Sequence, residues 1–392
     1  MKLAIITSHP IQYNAPWFKL LAAGGTIHPR VFYTWGEGGA GAKYDPDFKR
    51  KIEWDIPLLE GYEYQFVENV SKDPGTHHFK GIINPGLVEE VKAWRPDAVL
   101  VFGWSFHSHL RCIRYFHTKI PVLFRGDSTL LDEAPGWKRQ VRRVFLKWVY
   151  RHIDYALYVG QHNRDYFLRH GLEERQLVFA PHAIDNDRYA ADGDIRLREA
   201  RERRRQLNMA DDHLVVLFAG KLEPKKNPGF LLQLAARIPD RKLRFIIAGN
   251  GVLESGLKDA AGADDRIRFL DFQNQGQMPV VYRMADVFIL PSRGPGETWG
   301  LAVNEAMACG RAVMVSEKAG CAVDVVQEEE NGITFGPDDL QKCERFLLRC
   351  LEDRKLPAAM GARSAQIIQQ YSFGKIVSTL QYLLSENPVK YG

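Results

Sequence analysis

Short apolar segments alternate with amphipathic or polar helical segments along the whole chain, and this alternation most limits what the chain can fold into. Several apolar segments are continuous runs, as expected for strands buried on both faces of a parallel sheet. The pattern predicts an α/β protein with parallel sheets. The ten predicted strands are Leu3–Thr7, Val31–Thr34, Ala98–Phe102, Val122–Arg125, Tyr155–Val159, Leu214–Ala219, Leu243–Ala248, Arg266–Leu270, Val287–Leu290 and Ala312–Val315.

The length of 392 residues is more than one hydrophobic core usually serves, and it suits two domains. A turn-rich linker, Pro181–Tyr189, and a charge-dense helical segment, Asp194–Asn208, lie between two groups of predicted strands. We therefore predict two Rossmann-like domains, residues 1–185 and 186–370. Ligands of open α/β sheets bind beyond the carboxyl ends of the strands, so a site is expected in the loops that follow the strands.

Composition and charge narrow the class of protein. No apolar run approaches the ~20 residues of a membrane span, and the first apolar stretch is too short for a signal peptide. The basic excess lies in the first half, because residues 1–180 hold 24 basic and 19 acidic residues while the remainder is neutral. No nucleic-acid-binding motif accompanies it. The chain has five cysteines, and none has a CxxC partner or the spacing of a zinc site: Cys112, Cys309, Cys321, Cys343 and Cys350. This predicts a reduced cytoplasmic protein without a structural metal.

A glycine-rich segment, WGEGGAG, places Gly36, Gly38 and Gly41 in the spacing of a dinucleotide-binding loop. Such a loop must open a helix whose N–H groups face the pyrophosphate. The following residues, AKYDPDFKRK, contain Pro46 and argue against a helix. We expect a glycine loop near an active site rather than a dinucleotide site.

The strongest motif is PSRGPGETWGLAVNEAMACG, which follows the strand Val287–Leu290. A helix is predicted from Leu301 to Cys309, ended by Gly310. Helical side chains tilt toward the helix N-terminus, so Glu305 leans toward the loop that holds Glu297. The two carboxylates can accept hydrogen bonds from the hydroxyls of a sugar nucleotide. Its phosphates can bind the backbone N–H groups at the helix start, which belong to Trp299, Gly300 and Leu301.

Two further loops follow strands of the second half. FAGKLEPKKNP places Lys221 and Lys226 beyond the strand Leu214–Ala219, where lysines can neutralise the charge of a departing diphosphate. AGNG follows the strand Leu243–Ala248, and glycines there allow a nucleotide or sugar to approach the backbone. Three such loops at one sheet edge favour a single binding site, to which the last loop contributes Gly249, Asn250 and Gly251.

In GKLEPKKNP, AGNG, ADVFILPS and ETWGLAVNEAMACG, in that order, the chain resembles the retaining GT-B-fold glycosyltransferases of the group-one class, family 4. The resemblance spans nearly the whole sequence and implies two Rossmann-like domains that face each other across a cleft. It also implies a final helix, within residues 371–392, that crosses back to the first domain. The activity it implies is transfer of a sugar from a nucleotide diphosphate to a hydroxyl of a saccharide or lipid-linked saccharide.

The resemblance also implies roles for individual residues. Glu297 would contact sugar hydroxyls and Glu305 the ribose diol. Lys221 and Lys226 would hold the diphosphate, and the nucleobase would lie near Phe272. No metal or other cofactor is implied, since positive side chains would do the work of a metal ion.

The chain departs from the family pattern at several positions. Lys221 stands where many members carry Arg, which exchanges a bidentate group for a point charge. ETWG replaces the usual Glu-Gly-Phe-Gly and would place Trp299 near the sugar. Where many members carry a histidine in the first domain, this chain has Arg125 and Asp127, so the role of that histidine would be performed differently or by His9 or Asp127.

Two carboxylate pairs have the spacing that some transferases use for a divalent ion, Asp45 with Asp47 and Asp185 with Asp187. The first pair lies in a proline-containing loop and the second in the linker, so neither is expected to bind metal. Three other functions stay open on the sequence. They are an epimerase of nucleotide sugars on the same fold, a sugar-nucleotide sensor without catalysis, and a dinucleotide oxidoreductase.

One helical segment, Trp137–Ile153, combines six basic residues with an apolar stripe and contains no acidic residue. A basic amphipathic helix with tryptophan fits an anionic membrane surface, which would place the protein at the inner face of the membrane. Alternatively, the stripe faces the sheet and the basic residues are solvated. The sequence leaves both open for the stripe, which is formed by Trp137, Val141, Val144, Phe145 and Trp148.

Overall fold

The computed structural model describes residues 1–39, 43–45, 50–52 and 54–386, and it divides the chain into two compact units. As far as these ranges are described, the first unit holds Met1–Ala42, Pro57–His182 and Phe373–Gly392. The second unit holds Lys43–Ile56 and Ala183–Ser372. Each unit contains one parallel sheet with helices packed on it, which is the α/β class predicted from the sequence.

The sheet of the first unit has seven parallel strands in the order β5-β2-β1-β6-β7-β8-β9. Its central strands are continuous apolar runs without exposed residues, because helices cover both faces. The strands are β1 (Lys2–Thr7), β2 (His28–Tyr33), β5 (Glu63–Phe66), β6 (Ala98–Phe102), β7 (Val122–Arg125), β8 (Tyr155–Tyr158) and β9 (Leu177–Phe179). The helices are α1 (Ala15–Ala23), α2 (Leu87–Trp94), α3 (His107–Phe116), α4 (Trp137–Tyr150), α5 (Gln161–Arg169) and α15 (Phe373–Glu386).

The sheet of the second unit has six parallel strands in the order β12-β11-β10-β13-β14-β15. These are β10 (Leu214–Ala219), β11 (Leu243–Ala248), β12 (Ile267–Leu270), β13 (Val287–Leu290), β14 (Ala312–Ser316) and β15 (Gly332–Phe335). A separate antiparallel hairpin pairs β3 (Lys43–Asp45) with β4 (Arg50–Ile52). The helices are α6 (Asn186–Ala190), α7 (Gly193–Gln206), α8 (Phe230–Arg237), α9 (Glu254–Ala261), α10 (Met278–Arg283), α11 (Leu301–Ala308), α12 (Ala322–Val325), α13 (Leu340–Glu352) and α14 (Leu356–Ile367).

All ten strands predicted from the sequence are present, and their ends lie within three residues of the predicted ones. The prediction missed β5, β9 and β15, which are three of the four edge strands of the two sheets, together with the hairpin of β3 and β4. Edge strands are short and pair on one side only, so they do not need the continuous apolar run on which the prediction relied.

The charge-dense segment forms α7, as predicted, but one of its arginines is not solvated. The Arg204 side chain is buried, and its Nη2 donates to the carbonyl oxygens of Ala210 at 3.2 Å and His213 at 2.8 Å. Its Nη1 lies 3.7 Å from the Asp286 carboxylate. Arg204 therefore fastens the C-terminal end of α7 to the loop before β10.

The five cysteine thiols are buried and none forms a disulfide. Within the described parts of the chain, no helix has the length and apolar character needed to cross a membrane. The α15 helix packs on α1 and β9, where the Thr379 hydroxyl donates to the Phe179 carbonyl oxygen at 3.1 Å.

A buried histidine makes the stability of the first unit depend on pH. His109 Nδ1 donates to the Phe102 carbonyl oxygen at 2.8 Å, so Nε2 of the neutral ring accepts from the Thr34 hydroxyl at 2.8 Å. Burial lowers the pKa of His109 to about 4 from its usual 6.5. The folded state therefore holds the ring neutral while the unfolded chain takes up a proton, and stability falls as pH falls.

As the pH falls from about 6.5 to about 4, we expect His109 to lower the free energy of unfolding by up to about 1.4 kcal/mol per pH unit. The variant His109→Gln should be less stable at neutral pH but should lose this part of the pH dependence. Urea unfolding at several pH values measures the difference from the wild type. The matched control is His28→Gln at an exposed position; equal pH slopes for the two variants would contradict the assignment.

Candidate active site

The chain order of the second sheet reverses at β10, which lies between β11 and β13. Crossovers on opposite sides of this strand separate the loops that follow β10 and β13. Ligands of doubly wound sheets bind beyond the carboxyl ends of the strands at such a point. The loops that the sequence motifs occupy begin here, because each motif directly follows β10, β11 or β13.

The loop after β10 carries both predicted lysines. Lys221 is half-buried directly after Gly220, and Lys226 ends a short 3-10 turn, Pro224–Lys226. Asn227 adopts a left-handed conformation with φ of 54°, and this separates the turn from α8, which starts at Phe230. The loop around the lysines therefore contains a short 3-10 turn but no α-helix before α8.

An ion pair joins this loop to the loop after β13. Lys226 Nζ lies 2.5 Å from Glu297 Oε2, and the Ser292 hydroxyl donates to the same oxygen at 3.0 Å. Glu297 is buried, and the backbone N–H of Arg293 donates to the Lys225 carbonyl oxygen at 2.8 Å. Two residues predicted from separate motifs are thus in direct contact, and Ser292, which the sequence analysis did not assign, belongs to the same cluster.

The N-terminus of α11 lies beside Glu297. Gly300 caps the helix with φ of +105°, and a β-carbon there would come within 2.7 Å of the Leu290 side chain and 3.8 Å of Glu297 Oε1. Leu301 starts the helix, as predicted. A carboxylate next to the positive end of a helix is favourable, and the same end is suited to bind a phosphate.

The Trp299 side chain does not take the place predicted for it. Its indole is 3% exposed, its Nε1 donates to Asn304 Oδ1 at 2.9 Å, and its ring lies 6.0 Å from that of Tyr371. A buried indole needs a partner for its N–H, which Asn304 supplies. The structure therefore gives the side chain a packing role, whereas the predicted role of the Trp299 backbone N–H stays a prediction.

Glu305 is buried in α11 and is held by a tyrosine from α10. The Tyr282 hydroxyl donates to Glu305 Oε2 at 2.7 Å, and Tyr282 is itself buried. A buried carboxylate requires such a donor. No sequence motif connects the two positions, which are 23 residues apart, so Tyr282 was missed.

The glycines of AGNG allow two loops to pack closely. A β-carbon on Gly249 would lie 2.0 Å from the Gly220 carbonyl oxygen, and one on Gly251 would lie 2.5 Å from that of Leu222. The glycines therefore allow the loops after β10 and β11 to pack backbone against backbone, whereas the predicted approach of a ligand to Gly249, Asn250 and Gly251 stays a prediction. The Leu222 N–H donates to the Asn250 carbonyl oxygen at 3.0 Å across this contact.

Asn250 ties the same loop to the loop after β12. Its side-chain nitrogen Nδ2 donates to Glu254 at 2.9 Å and to Asp271 at 3.0 Å. Its side-chain oxygen Oδ1 accepts from the Phe272 backbone N–H at 2.8 Å. In this structure Asn250 positions loops, and it fixes the backbone at Phe272.

A segment from the first half of the chain contacts the Phe272 region. The Trp54 ring lies 6.4 Å from the Phe272 ring, and Asp55 Oδ2 accepts from the Gly276 N–H at 2.9 Å. More than two hundred residues separate these partners, and no sequence signal could have linked them.

The predicted residues of the first unit lie at the ends of β1 and β7. His9 Nδ1 is 2.9 Å from the Ser8 hydroxyl. Arg125 is buried, and its guanidinium donates to the carbonyl oxygens of Ala180 at 2.8 Å and Pro181 at 2.9 Å. Burial lowers the pKa of Arg125 to about 10. Asp127 lies 3.7 Å from His182, whose pKa burial lowers below its usual value. Arg125 thus anchors the linker start in this structure.

The carboxylate pairs and the glycine segment, which were not expected to bind a metal or a dinucleotide, are described only in part. Asp185 caps α6 by accepting from the Arg188 N–H at 3.0 Å, which is a structural role. Glu37–Gly39 form a 3-10 turn, while Gly41 and Asp47 lie outside the described residues. On the surface of the first unit, the side-chain atoms of Asp73, His77 and His78 that could bind a metal lie within 4.8 Å of one another. No sequence motif indicated this cluster.

Comparison with known proteins places the chain in a family. Residues 199–366 match the sequence model of the glycosyl transferases group 1, and residues 64–183 match that of the glycosyl transferase 4-like domain. Both matches are to glycosyltransferase families, and together they span most of the chain. The two matched ranges fall in the second and the first unit respectively, and the family is the one that the sequence motifs indicated.

The curated relatives include two D-inositol 3-phosphate glycosyltransferases. The protein of Mycolicibacterium smegmatis is 32% identical over 223 residues, which are 53% of this chain and 50% of that protein. The protein of Corynebacterium glutamicum is 28% identical over 297 residues, which are 72% of this chain and 69% of that protein. The chain spans about half the length of the first curated relatives it matches.

Solved structures establish the GT-B fold. An Anabaena protein, HepE, in complex with UDP and glucose has a TM-score of 0.71 at 18% identity, covering 99% of this chain and 100% of that one. Sucrose-phosphate synthase from Thermosynechococcus elongatus has a TM-score of 0.72 at 19% identity, with 98% of both chains covered. At this identity the likeness shows the fold alone.

We expect Gly249→Ala to lower the free energy of unfolding by at least about 2 kcal/mol, because the added methyl overlaps the Gly220 carbonyl and Gly249 has φ of +132°. The matched control is Gly256→Ala in α9, where a β-carbon meets nothing within 4 Å. That variant should be stabilised by about 0.5–1 kcal/mol. Urea unfolding compares both with the wild type. Equal stability of the two variants would contradict the packing role of Gly249.

Proposed function

We propose that the protein is a retaining glycosyltransferase that moves a hexose or related sugar from a UDP or GDP donor to a hydroxyl of a saccharide or lipid-linked saccharide. The observation that carries the proposal is the contact between Lys226 and Glu297, which joins two loops at the point where the sheet order reverses. The family supports sugar transfer, and the HepE complex with UDP and glucose supports the donor class.

In the proposed reaction Lys226 and Glu297 exchange partners when the donor binds. The ammonium turns to the diphosphate, and the carboxylate then accepts from hydroxyls of the sugar. The bond between the anomeric carbon and the phosphate oxygen breaks, and its electron pair leaves with the diphosphate. The acceptor oxygen bonds to the anomeric carbon on the same face, and its proton passes to the departing phosphate. Lys221, Lys226 and the N-terminus of α11 stabilise the charge that develops.

The remaining predicted residues serve the nucleotide. Glu305, positioned by Tyr282, accepts from the ribose diol, and the base lies near Phe272 with Trp54 beside it. No metal takes part. Assembly of a cell-surface polysaccharide or glycolipid in the cytoplasm, at the inner face of the membrane, is the proposed setting.

Release of nucleotide diphosphate from a panel of UDP- and GDP-sugars, with and without saccharide acceptors, tests the function. We expect release that increases with a suitable acceptor and a product of retained anomeric configuration. An altered nucleotide sugar formed without acceptor would identify an epimerase. Donor-induced thermal stabilisation without turnover would identify a binding protein, and no response to any sugar nucleotide would overturn the proposal.

Substitutions should separate the roles of the charged residues. Lys226→Ala should lower kcat by on the order of 10²-fold, since it removes a group that stabilises the leaving diphosphate. Glu297→Ala should mainly lower kcat. Glu305→Ala should mainly raise the donor KM, because ribose contacts are alike in the ground and transition states.

The variant Tyr282→Phe tests whether the Tyr282 hydroxyl positions Glu305. Removing one hydroxyl that donates to Glu305 should raise the donor KM by about 2–10-fold, the equivalent of about 0.5–1.5 kcal/mol, with little change in kcat. Steady-state kinetics on purified variants measure both constants. A loss of kcat for Tyr282→Phe as large as that for Glu297→Ala would contradict this division of roles.

A further inference from the structure

The basic helix α4 is attached to the first unit by only one of its faces. Leu146, Val149 and Tyr150 are buried and belong to the apolar core under the sheet. With 3.6 residues per turn these three side chains lie on one side of the helix. The apolar stripe noted in the sequence lies on the other side.

That stripe is exposed. Trp137 is 73% exposed, Val144 71% and Val141 59%. Phe145 stands at its border, 5.3 Å from the Trp104 ring, and Trp148 is half-buried under Arg114. The alternative in which the stripe packs against the sheet is therefore wrong, because the sheet-facing side is taken by Leu146, Val149 and Tyr150. Adjacent large apolar side chains in water mark an interaction surface.

The charges beside the stripe are positive. Lys138 and Lys147 are exposed on its two sides, and Arg151 continues the second side. The three arginines on the inner flank are engaged elsewhere, since Arg143 pairs with Glu133 at 2.7 Å, Arg139 lies 4.0 Å from it and Arg142 donates to the Tyr166 hydroxyl at 3.2 Å. At this helix, Lys138, Lys147 and Arg151 are thus the cations that can meet an external anion.

A pocket of about 280 Å³ opens at the edge of the stripe. It is lined by Gln140, Arg143, Val144 and Lys147 of α4 and by Arg169 of α5. Arg143 is paired with Glu133, but Lys147 and Arg169 beside a depression that borders Val144 place a site for phosphate next to an apolar surface. A phospholipid presents these two chemistries side by side at the membrane interface.

We propose that the outer face of α4, with this pocket, is a docking surface for a bilayer that contains anionic phospholipid. Trp137, Val141 and Val144 enter the interfacial layer, and Lys138, Lys147, Arg151 and Arg169 meet the headgroup phosphates. Apolar burial and attraction to anionic headgroups together govern the binding of interfacial helices. Each basic residue near such a surface contributes about 1 kcal/mol, or about fivefold in binding.

Co-sedimentation of the full chain with vesicles, without any sugar nucleotide, tests the proposal separately from the transfer reaction. We expect binding to mixed phosphatidylcholine and phosphatidylglycerol vesicles at low ionic strength, weaker binding at physiological ionic strength, and little binding to pure phosphatidylcholine. Lys138→Glu with Lys147→Glu should weaken binding by tenfold or more. Trp137→Ser with Val141→Ser and Val144→Ser should weaken it by a similar factor.

Matched controls address net charge and apolarity. Lys72→Glu with Lys80→Glu makes the same charge change at exposed positions outside α4, and Val323→Ser removes an exposed apolar side chain from the second unit. Both should bind like the wild type, and circular dichroism checks that every variant is folded. The proposal is overturned if anionic vesicles bind no wild-type protein at low ionic strength, or if the controls lose as much binding as the α4 variants. It is also overturned if the stripe variant turns a dimer into a monomer in sedimentation velocity without altering vesicle binding.

Discussion

The pairing of β10 with β11 on one side and β13 on the other is the constraint on which the candidate site depends. Parallel strands end at the same edge of a sheet, so the chain must leave β10, β11 and β13 through loops that crowd together there. Backbone contact at Gly249 and Gly251 joins the first two loops, and the ion pair of Lys226 with Glu297 joins the first to the third. A polar cluster thus forms at this edge of the sheet.

The ion pair stabilises a buried charge. A buried carboxylate without a cation or hydrogen-bond donors would be costly, and Lys226 with Ser292 meets this need for Glu297. A ligand that takes Lys226 for its phosphates must offer hydroxyls to Glu297 in return. If the proposed function holds, the cluster selects molecules that carry both an anion and a polyol, which is a stricter requirement than either group alone imposes.

Sequence patterns predicted the central strands well because those strands are long apolar runs followed by turn residues, as Leu214–Ala219 and Val287–Leu290 are. They predicted that the loops of Lys226 and Glu297 gather at one sheet edge, but not the ion pair between the two side chains. The edge strand Glu63–Phe66 was missed since it contains two half-buried and two exposed residues and no apolar run.

Other features could not be predicted because they depend on partners distant in the sequence. The Trp299 indole is directed inward by Asn304 and Tyr371, and Glu305 is held by Tyr282. The direction in which the apolar stripe of α4 faces could be determined only from the burial of its residues. One amphipathic pattern fits both an inward and an outward stripe, whereas Leu146, Val149 and Tyr150 fill the inner side.

The first unit is discontinuous, and this bears on how the protein is made. Its strand β9 ends at Phe179, yet the α15 helix that covers β9 and α1 begins only at Phe373. At about 5–20 residues per second a ribosome needs about 10–40 s to translate the intervening segment. During that interval the nascent first unit keeps the apolar surface intended for α15 uncovered, while the whole second unit emerges behind it. Completion of the first unit must therefore wait until α15 has been synthesised, and a chaperone that shields this surface would act in that window.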